Sequence, residues 1–178
     1  LHEGDVLEAG GRRLRVLHTP GHTFGHLCLH EEEEGILFSG DHLIRSITPN
    51  PDLLVRDDGS WRSGLPSFVS SLKRLESLRI ERAYPGHGRP ITRVERRIAF
   101  NLEHHRRRLG EVLEAISDGG STPWELAKSL FPQVRREDET MDSWLALREV
   151  VGHLEILRED GSVEIREDGG RLIAFRSR

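Results

Sequence analysis

Apolar and polar positions alternate over residues 5–18, where Val6, Leu14 and Val16 are the inward positions and Gly10-Gly11 interrupts the run. A side-chain period of two belongs to a half-buried strand, and paired glycines between two such runs predict a β-hairpin. Short apolar runs at 27–30 and 36–38 flank a charged stretch ending in Gly35 and predict a second strand pair. The later run leads directly into Ser39-Gly40-Asp41. Residues 47–64 contain Pro49, Pro51, Gly59 and several aspartates, a composition that predicts a long surface loop. Phe68, Leu72, Leu75 and Leu78 then recur every three or four positions, the buried stripe of an amphipathic helix. A short strand at 82–84 precedes Pro85-Gly86-His87-Gly88.

From about residue 92 the pattern becomes helical. Ile98, Leu102, Leu109, Val112, Leu113 and Ile116 mark a long helix that Asp118-Gly119-Gly120 stops. Ser121-Thr122-Pro123-Trp124-Glu125 combines a capping hydroxyl, an early proline and an early acid, and so predicts a new helix ending near Phe131-Pro132. Another helix over 141–158 carries Leu145, Leu147, Val150, Val151, Leu154 and Leu157. Apolar runs at 163–165 and 172–175 flank Asp168-Gly169-Gly170 and predict a terminal hairpin. Helix, helix, helix, hairpin is the order of a winged helix, which divides the chain into domains 1–92 and 93–178.

Composition narrows the function classes. With 35% hydrophobic and 31% charged residues among 178, the chain suits a soluble globular protein. No apolar run approaches the roughly 20 residues that span a bilayer. A net charge of -4 supplies no global attraction to nucleic acid. The single cysteine, Cys28, cannot close an intramolecular disulfide and reads as a small core residue; with no signal-peptide pattern, the expected location is the cytoplasm.

His18, His22, His26 and His30 fall at every fourth position, a spacing that would align them on a helix. Pro20, Gly21 and Gly25 break such a helix, so the spacing is better read as coincidence. Gly21-His22, Gly40-Asp41 and Gly86-His87 instead each place a polar side chain just beyond a glycine at a strand end. Glycine permits the tight turns that present the next side chain from a strand edge. If those ends share an edge, the three side chains converge. Neutral imidazole and carboxylate suit Zn²⁺, and a carboxylate can bridge two ions.

Thr19-Pro20-Gly21-His22-Thr23, Phe38-Ser39-Gly40-Asp41-His42 and Tyr84-Pro85-Gly86-His87-Gly88, in that order, resemble the metallo-β-lactamase superfamily. The resemblance implies an α/β fold: the C-terminal half of an αββα sandwich, then an α+β winged helix. It implies metal ligation by His22, Asp41 and His87, with Asp41 bridging two zinc ions and holding the first claim to a catalytic role. It further implies hydrolysis of an ester, thioester or phosphodiester by a metal-bound hydroxide. The family's upstream His-x-His-x-Asp-His motif has no counterpart here, since no His-x-His occurs. The expectation is therefore a chain whose N-terminal half is missing, holding one zinc ion or none and inactive alone. His26 and His42 are weighed as residues supporting the ligands or edging the pocket, and Arg45 as a contact for an anionic substrate, against ordinary strand and surface readings.

Residues 95–178 resemble the winged-helix tail of the lactamase-beta-two-like branch through His104-His105-Arg106, 122–127 and the helix at 147–157. The expected partners are a small-molecule ester or thioester, or RNA, and no membrane. A half sandwich would leave a sheet face bare, which predicts a homo-oligomer or association with the missing N-terminal half. The rival reading is a noncatalytic nucleic-acid- or protein-binding winged-helix module with vestigial metal motifs. Against duplex binding, the helix at 141–158 carries Asp142, Glu149 and Glu155 beside Arg148 and Arg158. Arg96, Arg97, Arg106, Arg107 and Arg108 form the better nucleic-acid surface, diluted by Glu95, Glu103, Glu111 and Glu114.

Overall fold

The computed structural model of the chain describes residues 1–132, 134 and 141–177. It divides into two compact units, Leu1–Asp52 with Ser67–His104, and Leu53–Pro66 with His105–Arg178. The units interleave along the chain, whereas the sequence pattern alone suggests one cut at 92/93.

The first unit begins with the predicted hairpin, β1 (Val6–Ala9) and β2 (Arg12–His18), turned through Gly10 and Gly11. Both glycines have positive φ, +59° and +75°, as a two-residue turn matched to strand twist requires. β3 (Leu27–Glu31) pairs antiparallel with β2, and β4 (Ile36–Gly40) antiparallel with β3.

The predicted loop at 47–64 is not without structure. It contains a short hairpin of β5 (Leu53–Val55) and β6 (Trp61–Ser63), which belongs to the second unit. Strands of three residues are too short to display a period of two, and Leu54 and Val55 are both exposed, so no alternation marks them.

Helix α1 (Leu65–Glu76) buries Phe68, Leu72 and Leu75 completely, the stripe read from the sequence. It leads to β7 (Arg82–Pro85), which pairs parallel with β4. A parallel pair needs a crossover, and α1 lies within it. The sheet order is β1-β2-β3-β4-β7. Because β2 and β4 are both antiparallel to β3, and β7 is parallel to β4, the C-terminal ends of β2, β4 and β7 lie along one sheet edge. Leu17, Cys28, Leu37, Ser39 and Ala83 are buried. On the opposite face, cross-strand neighbours Leu29, Phe38 and Tyr84 are only partly covered; Phe38 is 42% exposed and stacks on Tyr84 at 5.6 Å.

The last of the three boundaries between the units falls inside α2 (Val94–Ala115). The second unit continues with α3 (Pro123–Leu130), α4 (Met141–Glu159) and the hairpin β8 (Val163–Asp168) and β9 (Arg171–Arg176). The capping signal is realised in full: Thr122 accepts from the Glu125 amide, and the Glu125 carboxylate accepts from the Thr122 amide. Its core gathers Val112, Ile116, Leu126, Val150, Leu154 and Val163. Ser121 bridges Ala174 of β9 through paired backbone hydrogen bonds of 3.0 and 2.9 Å. Among the described residues, no helix is long and apolar enough to cross a membrane.

Candidate metal centre

After β2 the chain turns at Gly21, whose φ is +144°. A Cβ there would lie 2.3 Å from Phe68 Cβ and 2.5 Å from Phe68 Cα, so the turn presses against the backbone of α1 and only glycine fits. Ser71 of α1 adds a 3.1 Å hydrogen bond to the Pro20 carbonyl. His22 then leaves the turn and donates from Nδ1 to the Asn50 carbonyl at 3.0 Å. A carbonyl can only accept, so the proton of the neutral ring sits on Nδ1 and Nε2 carries the lone pair. That is the tautomer an Nε2 metal ligand needs.

Asp41 follows the end of β4. Its amide donates to His26 Nε2 at 3.2 Å, which puts the neutral His26 proton on Nδ1, 2.9 Å from Thr19 Oγ1. The Thr19 hydroxyl in turn faces Cys28 Sγ at 3.2 Å, and Cys28 donates to the Ser39 carbonyl at 3.6 Å. A continuous polar thread thus ties the Asp41 main chain to β3 and β4. Gly40, at φ +47°, allows the close approach, since a Cβ there would meet His26 Nε2 at 2.7 Å. His26 spends its Nε2 lone pair on the Asp41 amide and so orients Asp41 instead of coordinating beside it.

Beyond β7, the Gly86 amide donates to the Gly40 carbonyl at 2.8 Å and draws the last turn against Asp41. A Cβ on Gly86 would come within 2.9 Å of Asp41 Oδ1. Asp41 Oδ2 lies 3.8 Å from His22 Nε2 and 3.5 Å from His87 Nε2. The three residues at the three strand ends therefore face one another. His22 and Asp41 are half-buried, whereas the His87 side chain is 77% exposed.

The other residues separate. Burial lowers the pKa of His26, with nearby His22 adding to the effect, and burial pushes His42 down to about 3. His42 is wholly buried, its ring 4.6 Å from Phe68 and 5.8 Å from His26, and neither ring nitrogen has a hydrogen-bond partner. It lies in the core, where the sequence suggested a pocket edge, because its side chain turns inward one residue after Asp41. Arg45 is exposed. The fourfold histidine spacing dissolves as the strand geometry requires: His18 is exposed, and His30 pairs with the Arg79 carbonyl at 3.1 Å. Cys28 is buried and its thiol pKa is raised to about 12 by that burial, which leaves it no nucleophilic role.

Two observations bear on whether these side chains suit a metal. Asp41 Oδ1 is buried without a hydrogen-bond partner, a costly arrangement for a carboxylate that a bound cation would relieve. The donors are two imidazole nitrogens and a carboxylate, which Zn²⁺ accepts. Among the described residues, however, no group of three or more His, Cys, Asp or Glu side chains is arranged so that it could hold a metal ion. The residue types fit a metal in chemistry, and His22 and His87 both approach Asp41 Oδ2, at 3.8 and 3.5 Å. Sequence reading did not find the Asn50 carbonyl, because a main-chain acceptor leaves no mark in residue type. Nor did it find the contact of Gly21 with Phe68.

Residues 1–87 match the family model described as the Metallo-beta-lactamase superfamily. The crystal structure of a metallo-beta-lactamase family protein from Thermus thermophilus is 40% identical, covers 99% of this chain and superposes with a TM-score of 0.81. A Bacillus subtilis (strain 168) protein named "Probable metallo-hydrolase YqjP" is 32% identical over 88% of the chain. An Aspergillus fumigatus protein named atrochrysone carboxyl ACP thioesterase is 28% identical over 72% of it. The chain spans about half the length of these proteins: 54%, 48% and 41%, respectively.

Proposed function

The chain belongs to the metallo-beta-lactamase superfamily through residues 1–87, and on that premise we propose that it serves a metal-dependent hydrolase in which His22, Asp41 and His87 are metal ligands. The observation that carries this reading is the meeting of those side chains at one sheet edge around a carboxylate whose buried Oδ1 lacks a partner. Zinc, when bound, would polarise the scissile group and activate water near neutral pH. This chain's residues would do the positioning. The Asn50 carbonyl keeps the His22 proton on Nδ1, His26 holds the Asp41 main chain, and the contact of Gly86 with Gly40 sets His87 beside them.

The substrate proposed is an ester or thioester, supported by the thioesterase name of the A. fumigatus relative, with a phosphodiester such as RNA as the second class. Three protein donors divided between two ions leave each ion short of ligands, so weak metal binding and little activity are expected of these 178 residues alone. Donors from a further polypeptide segment or a second copy would complete the site. The order of α2, α3, α4 and the β8–β9 hairpin, with the Ser121–Ala174 bridge as a third strand contact, supports reading the second unit as a winged helix. A purely noncatalytic module is the weaker reading, since hydrolase-named relatives align through the segment that holds the three ligands.

Zinc titration against a chromophoric chelator, with parallel assays on p-nitrophenyl ester, thioester and bis-p-nitrophenyl phosphate, tests the proposal. Asp41→Asn should weaken zinc uptake by at least about 100-fold, since even the partners of ligands are worth 10–100-fold. Unchanged uptake in Asp41→Asn and His87→Ala would remove the assignment.

A further inference from the structure

We propose that Arg97 and Asn101 of α2 are positioning residues for His22, acting through the main chain of the loop at 47–52. The proposal rests on reading His22 as a metal ligand. His22 is oriented by a backbone carbonyl, that of Asn50, so its tautomer depends on where a stretch of main chain lies. That stretch falls between β4 and β5, has no strand or helix of its own, and needs ties from outside.

The ties are specific. An Arg97 Nη2 donates to the Ile47 carbonyl, and the Thr48 hydroxyl donates to Asn101 Oδ1 at 3.2 Å. At the other end of the loop, the Asp52 amide donates to the Gly21 carbonyl at 2.8 Å, one residue before His22. Arg97 and Asn101 stand four positions apart and so share one face of α2. The loop is held at 47, 48 and 52, and the carbonyl at 50 faces the imidazole.

Arg97 is also an unusual choice for a merely solvated helix face. Its Nε is buried without a hydrogen-bond partner, and its guanidinium lies over the Phe100 ring at 4.9 Å. Burial pulls its pKa below the ordinary arginine value. Desolvating a guanidinium is unfavourable, and the return visible here is a charged donor fixed on a loop carbonyl. Asn101 is fully buried and faces the same loop.

The test uses the full chain, metal-free at pH 8, and reads the ring ¹⁵N shifts of each histidine by NMR. The variants are Arg97→Met, which keeps the stem and removes the donor, and Thr48→Val, which removes a hydroxyl from the loop itself. Wild-type His22 should be the Nδ1–H form, and either variant should shift it toward a tautomer mixture while zinc affinity falls about tenfold. Arg97→Lys, which restores a donor, should recover both values. His30, bonded to the Arg79 carbonyl in the same unit, should keep its ring shifts and so separates repositioning from general loosening. Unchanged His22 shifts together with zinc affinity within twofold of wild type would overturn the proposal. If wild type takes up no zinc, the ligand reading fails while the tautomer result still decides positioning. If Arg97→Met does not fold, Thr48→Val decides it.

Discussion

Replacing Gly21 by alanine tests the central packing contact of the first unit. Its φ of +144° lies where side chains are rarely tolerated, at a cost of about 1–3 kcal/mol. The added Cβ would also stand 2.3 Å from Phe68 Cβ and 2.7 Å from the Phe68 nitrogen. Those atoms belong to a helix and cannot swing aside, so the turn or the helix must move, at about 1–3 kcal/mol for overpacking. The two costs together come to about 4 kcal/mol, a large share of the 5–15 typical of a domain. Gly25→Ala is the control: Gly25 has no positive φ, and its added Cβ would meet nothing within 4 Å, so it should change stability by less than about 0.5 kcal/mol. Trp61, Trp124 and Trp144 all lie in the second unit, so tryptophan emission does not follow this one. Amide hydrogen exchange in β2, β3 and β4 across a urea series does. Gly21→Ala stability within about 0.5 kcal/mol of wild type would refute both the close approach to Phe68 and the placement of His22 derived from it.

Gly152→Ala separates two opposed effects in α4. In an open helix the change stabilises by about 1 kcal/mol, but here the new Cβ would meet Leu65 Cβ and Ser63 Oγ, both at 2.8 Å, and a net loss of about 1–2 kcal/mol is expected. Urea unfolding followed by tryptophan emission reads the sign, and a gain in stability would show the contact to be open. Glu3 accepts from the Arg74 guanidinium and from the His18 amide at 2.6 Å, and its pKa is lowered from 4.5 to about 2, chiefly by the Arg74 hydrogen bond. A depressed carboxylate stabilises the fold above its unfolded pKa and loses that contribution as pH falls from about 4.5 toward 2. Solvent screening of this partly exposed pair leaves about 1 kcal/mol, so Glu3→Gln should lower stability at pH 7 by about that much and flatten the acid limb of the unfolding curve. Parallel acid limbs for the two proteins would show that the pair contributes nothing.

The residues beyond each strand end, the glycines preceding them, the amphipathic stripe of α1 and the capping box of α3 were legible in the sequence, because each is a local pattern of at most a few turns or one strand. Local pattern failed where elements were too short or the informative atom was not a side chain. β5 and β6, at three residues each, show no period, and nothing in Gly40-Asp41-His42 says which of two adjacent side chains turns inward.

Residue order supplies an inventory: His22, Asp41 and His87 each follow a glycine where a strand stops. Tertiary structure alone decided that β2, β4 and β7 end on the same side, since strand direction is settled by hydrogen-bonded neighbours far away in the chain. It likewise decided which nitrogen of His22 is free, because that depends on a carbonyl 28 residues away. Distances between remote segments come from packing the whole unit, and no window of residues encodes them.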